Sequence, residues 1–112
     1  MEIIFNSTKM EKICNDSRKT QKYFGSIRAK IIRRRLDELR AADTLEDMRS
    51  LPSARCHELS QNRKGQLSVD LDHPYRLLFV PEHAPVPTKA DGGLDWSRVT
   101  AIRILGAEDT HE

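Results

Sequence analysis

Hydrophobic and polar positions follow two textures along the chain, helical before Pro52 and strand-like after it. Glu2 to Phe5 is a short apolar run that ends at polar residues, which predicts a first strand. Thr8 and Glu11 have the spacing of a capping box, so a helix is expected there with Met10, Ile13 and Cys14 on one face. Asn15-Asp16-Ser17 breaks or recaps it before Arg18 to Phe24, Gly25 closes that segment, and Ser26 is placed to cap the next. From Ile27 to about Ala42, the residues Ile27, Ile31, Ile32, Leu36 and Leu39 recur at helical spacing and predict one apolar stripe. The other side reads as Arg28, Lys30, Arg33, Arg34, Arg35 and Arg40. Thr44 is placed to cap a brief helical turn through Met48, which Pro52 ends.

Beyond Pro52 the period shortens to two. Leu67, Val69 and Leu71 alternate with polar residues as in a half-buried strand. Asp72-His73-Pro74 supplies a turn, and Tyr75 to Val80 is its hairpin partner. Residues 81–97, with their prolines and a Gly-Gly pair, predict a long loop, and Arg98 to Leu105 a last strand before a polar tail. Helices early and strands late predict an α+β domain, with helices packed on one face of an antiparallel sheet.

The chain's 112 residues fit a single domain over residues 1–112. With 38% hydrophobic residues it has the makings of one modest core without a metal or disulfide staple. No apolar run approaches the roughly 20 residues of a membrane span. The acid at Glu2 and the polar residues from Asn6 do not make a signal peptide, so a cytoplasmic protein is expected. Cys14 and Cys56 belong to no metal-ligand spacing and read as reduced thiols.

Net charge is only +2, but the basic residues are bunched. The cluster Arg33, Arg34 and Arg35 fits either a solvated helix face or an electrostatic footprint for RNA. His73 and His83 sit in turn-like contexts that suit solvated side chains. Asp109 and His111 lie two apart, so they share a direction if the tail stays extended, and fray otherwise. A metal-free ribonuclease needs a group to take the 2′-hydroxyl proton, another to protonate the departing 5′-oxygen, and a fixed cation for the phosphorane. Histidine suits proton transfer near neutral pH, and the arginine fork suits phosphate. The chain offers His57, His111, Asp109 and Arg76, and periodicity does not show whether they converge.

Three stretches together resemble the RelE/HigB toxin superfamily, and within it the HigB-like plasmid maintenance killer branch. They are Arg55-Cys56-His57-Glu58-Leu59 running into Asn62-Arg63-Lys64-Gly65-Gln66-Leu67-Ser68-Val69, then Tyr75-Arg76-Leu77-Leu78-Phe79, and finally Val99 to Ile104 followed by Glu108-Asp109-Thr110-His111. The resemblance implies a RelE-like fold, an N-terminal strand and helices on a twisted antiparallel sheet. It also implies a type II toxin that cleaves mRNA in the ribosomal A site without a metal or other cofactor. The implied catalytic set is His57, Arg76 on the scissile phosphate, Asp109 and His111, with Arg63 and Lys64 as backbone-binding cations. Implied partners are a helix-turn-helix antitoxin, the ribosome and mRNA, with operator DNA reached only through the antitoxin complex and no membrane.

Three departures stand out. Many relatives carry Tyr where this chain has Thr110, and an aromatic residue where it has Leu67, and the 81–97 loop is longer than in compact members. A second reading is a non-nuclease of the same fold, either a ParE-like gyrase poison or a degenerate toxin that only binds its antitoxin. ParE-like proteins generally lack the terminal acid–His pair, so Asp109 and His111 separate the two.

Overall fold

The computed structural model describes residues 1–110. Strand β1 (Glu2–Phe5) leads into helices α1 (Thr8–Cys14), α2 (Ser17–Phe24) and α3 (Ser26–Ala41). Short 3-10 turns follow at Leu45–Ser50 and Pro52–Ala54, and then strands β2 (His57–Glu58), β3 (Leu67–Asp70), β4 (Tyr75–Pro81) and β5 (Ala101–Asp109). The sheet order is β1-β5-β4-β3-β2. The expected α+β layering holds, but the sheet is mixed, because β1 pairs with β5 in parallel. Between β1 and β5 the chain passes through three helices and three further strands, well beyond the crossover length that a parallel pair requires.

Local chemistry explains the helix ends. The α1 cap is Ser7, whose hydroxyl accepts from the Met10 amide at 3.1 Å, one residue before the expected Thr8. Asp16 caps α2 by accepting from Arg18 and Lys19. Gly25, at φ +84°, turns the chain between α2 and α3, and no side chain caps α3. Thr44 likewise forms no side-chain cap on the turn that follows.

Helix α3 packs Ile32, Leu36 and Leu39 against Leu67, Val69, Leu77, Phe79, Ile102 and Ile104 on one sheet face. Ile27, expected on this stripe, is 72% exposed. Arg35 is the converse and corrects its assignment to a solvated RNA-binding face, being only 6% exposed. It lies three residues after Ile32 and four before Leu39, which puts it on the helix's inner side. There it donates to the Asp70 and Ser53 carbonyls at 2.7 and 2.9 Å and to Glu38 at 2.9 Å. Arg28 is also committed to the fold. It forms a bidentate pair with Asp72 at 2.9 and 3.0 Å and lies 3.6 Å over the Tyr75 ring.

The 81–97 stretch is less open than the sequence suggests. Lys89 and Gly93 close a small turn, Thr88 bridges Leu94, and Pro87 is buried. Trp96 anchors it: the indole N–H donates to Glu58 at 3.1 Å, and Arg49 stacks at 3.8 Å on the ring. The loop therefore braces the short edge strand β2. The last strand begins at Ala101, later than expected, because residues 96–98 form a 3-10 turn.

One irregularity decides what β5 presents. Opposite the Leu78/Phe79 step the register skips from Gly106 to Ile104, leaving Leu105 as an extra residue. Gly106 takes φ +148°, a conformation that L side chains rarely adopt, and so permits the bulge. Beyond it the alternation of β5 is reversed. Ala107 packs toward the helices, and Glu108 joins the opposite face.

Two stability outcomes follow. Arg35→Gln should cost about 3 kcal/mol in urea unfolding, since it strips charged donors from two carbonyls and Glu38. The hydrogen bond from Arg28 holds the Asp72 carboxyl below its ordinary value, against a smaller opposing effect of burial. That contribution is full above the unfolded value near 3.9 and drains as pH falls through the lowered folded value. Asp72→Asn should therefore melt below wild type at pH 7, with the gap closing in acid; a gap independent of pH would contradict the linkage.

Candidate active site

The register lines up a second group of residues on the face turned away from the helices. His57 pairs with Ser68, Ser68 with Leu78, and Leu78 with Gly106. In the adjoining row Asp70 pairs with Arg76, and Arg76 with Glu108. Residues directly opposite each other across strands share a face, so His57, Ser68, Asp70, Arg76 and Glu108 form one surface. Ser68 and Leu78 are buried although they lie outside the main core. Arg63, in the β2–β3 connection, reaches Glu108 on β5 at 2.9 Å and so crosses over β3 and β4.

His57 is oriented by its own neighbour. Its Nδ1 lies 2.9 Å from the Arg55 carbonyl oxygen, which only accepts, so Nδ1 carries the proton in that contact. Nε2 is then left as the nitrogen that gains and loses a proton. Arg55 itself has left-handed backbone angles, φ 44° and ψ 52°, unusual for a residue other than glycine. Its guanidinium donates to Asp70 Oδ2 at 2.9 Å. Arg76 is largely buried, with Nε 3.7 Å from Asp70 Oδ1, beyond hydrogen-bond reach. Among the described residues, Arg76 Nη1, Asp70 Oδ1 and Ser68 Oγ are buried with no hydrogen-bond partner. A cleft of about 50 Å³ at the β3–β4 turn is lined by Arg55, Asp70, His73 and Arg76.

The sequence-derived candidates divide accordingly. His57 and Arg76 share the face. Asp109 does not join them, because the bulge sets it opposite Tyr75, on the helix-side face. His111 lies outside the described residues. Arg63 is engaged by Glu108, while Lys64 is exposed and borders a separate cavity of about 460 Å³ between residues 58–67 and 81–94. Arg34 is exposed and Arg33 half-buried, whereas Arg35 is structural. His73, read as a solvated turn residue, is exposed at the rim of the small cleft. Arg55, Ser68, Asp70 and Glu108 do not stand out in the sequence as site residues. A signal exists for two of them, since a hairpin centred on His73 pairs Asp70 with Arg76 and Ser68 with Leu78.

The cysteines are not candidates for nucleophilic chemistry. Burial pushes the Cys14 thiol up to about 11, with Arg40 opposing, and the Cys56 thiol up to about 12, with Arg49 opposing. Among the described residues, no three His, Cys, Asp or Glu side chains are grouped as metal ligands.

A family profile described as RelE-like toxin of type II toxin-antitoxin system HigB matches residues 4–88. The chain belongs to this HigB-like toxin family. The match runs from the end of β1 through β4, and takes in His57, Ser68, Asp70 and Arg76. Toxins of this family are generally endoribonucleases, and membership implies an antitoxin partner. No curated protein matches the chain. No helix among the described residues is long and apolar enough to cross a membrane.

Replacing Arg33 and Arg34 with Gln should flatten the salt dependence of ribosome or RNA association by roughly 0.7–0.9 log–log units per lost phosphate contact. An unchanged slope would mark these two as solvated surface or antitoxin contacts.

Proposed function

We propose that this HigB-like toxin is a ribosome-dependent mRNA endoribonuclease, acting in the cytoplasm without a metal and silenced by a helix-turn-helix antitoxin. The observation that carries this reading is the oriented His57 ring on the same sheet face as Arg76, whose Nη1 has no partner among the described residues. In this reading Arg76 donates to the scissile phosphate, and its charge offsets the negative charge that builds on the phosphorane. His57 Nε2 gives a proton to the departing 5′-oxygen. The family resemblance adds Asp109 and His111 to the same catalytic set. The ribosome supplies what the small site lacks, since an mRNA held in the A site is already positioned for attack.

Induction without the antitoxin should stop growth and create new mRNA 5′ ends within translated regions, read by primer extension. His57→Ala should lower cleavage by on the order of 10²-fold or more while keeping antitoxin binding. Cleavage should also survive EDTA when ribosomes are held together by cobalt hexammine or crosslinking. Unchanged mRNA ends with accumulating DNA breaks would instead support the ParE-like gyrase reading.

A further inference from the structure

We propose that Asp70 is the general base of this site, taking the 2′-hydroxyl proton at Oδ1; the proposal rests on the nuclease reading above. The Asp70 carboxylate is only half satisfied by the protein. One oxygen, Oδ2, is fixed by Arg55 at 2.9 Å, which sets the plane of the group. The other, Oδ1, is buried, faces Arg76 Nε at 3.7 Å, and has no hydrogen-bond partner among the described residues. A buried carboxylate oxygen without a donor is unfavourable, and a hydroxyl donor from substrate would relieve it. Ser68 Oγ, fully buried and likewise without a partner, lies two residues along the same strand and face.

Position favours Asp70 over the C-terminal acid. Asp70 is paired with the phosphate-binding Arg76, and His57 stands opposite Ser68. The two proton-transfer groups are thus offset by two residues along β3, about 6.6–6.8 Å, with Arg76 alongside. The bulge at Gly106 turns Asp109 to the other face. The cleft that Asp70 shares with Arg55, His73 and Arg76 is about 50 Å³. That is room enough for a hydroxyl or a phosphate oxygen.

The step balances without an added reactant. The 2′-O–H proton passes to Asp70 Oδ1 as the 2′-oxygen bonds to phosphorus. Arg76 turns Nη1 to a non-bridging oxygen. The bond from phosphorus to the 5′-oxygen breaks, and that oxygen takes the proton from His57 Nε2, leaving a 2′,3′-cyclic phosphate and a 5′-hydroxyl. Asp70 and His57 then exchange their protons with solvent.

The test is single-turnover cleavage of mRNA on programmed ribosomes across pH. The charged groups facing Asp70 are Arg55 before β2, Arg76 on β4, and His73 in the turn; Arg35 of α3 meets its backbone carbonyl, and Glu108 lies beyond Arg76. Asp70→Asn should lose 10²-fold or more in rate, and should also lose the rise in rate with pH on the acid side. Asp70→Glu should recover at least tenfold over Asp70→Asn, with that rise restored. An Asp70→Asn enzyme that keeps the acid-side rise, at whatever rate, overturns the assignment and leaves Asp70 as a positioning residue for Arg55 and Arg76. If Asp70→Asn does not fold by circular dichroism, an Asp70→Glu profile without the acid-side rise overturns it equally. Wild type that cuts no mRNA removes the nuclease reading and this assignment together, whereas an active wild type with an equally active Asp70→Asn removes only the assignment.

Discussion

The inward-turned guanidinium of Arg35 is the constraint on which the rest of the structure depends. A charge at 6% exposure is tolerable only if its donors are satisfied, and here they reach the Asp70 carbonyl, the Ser53 carbonyl and Glu38. Those partners belong to β3, to the turn leading into β2, and to α3 itself. One side chain therefore ties the helical layer to the segments that carry Arg55, His57 and Asp70. The apolar contacts of Ile32, Leu36 and Leu39 hold the helix on the sheet, but they are non-directional. The hydrogen bonds of Arg35 fix where along the sheet α3 sits.

A second constraint acts from the far side. Strand β2 is only two residues long and lies at the sheet edge, too short to hold the His57 ring by its own ladder. Trp96 compensates by bonding Glu58, next to His57, while Arg49 stacks on the indole. The long loop thus buttresses the edge strand. His57 is held between this brace and the carbonyl of Arg55.

Much of the fold is legible in the sequence because its parts obey local rules. The strand at Glu2–Phe5, the three helices and the hairpin about His73 follow from periodicity, caps and turn residues. The parallel placement of β1 does not, since nothing in a four-residue apolar run states its partner. Arg35 reads as surface because it carries a charge, although its spacing from Ile32 and Leu39 is that of a core position. The site is legible by half. His57 and Arg76 come from the family pattern, and Asp70 can be placed by counting outward from the turn. The face on which Asp109 stands cannot be read from two-residue alternation, because one extra residue before Gly106 reverses it.

On the nuclease reading, the pairing of charges on the site face explains how so modest a net charge can serve an RNA-directed toxin. Arg55 and Arg63 are each matched by a carboxylate, and Arg76 stands between Asp70 and Glu108. Exposed pairs of this kind contribute only about 0–1 kcal/mol, so a phosphate already held nearby can displace Glu108 from Arg63 at small cost. A phosphate diffusing freely in solution has no such advantage, because it must also give up its translational freedom. With a net charge of +2 the protein gathers little RNA by long-range attraction. Such a face favours substrates delivered in register by a larger assembly, and on the nuclease reading that assembly is the translating ribosome.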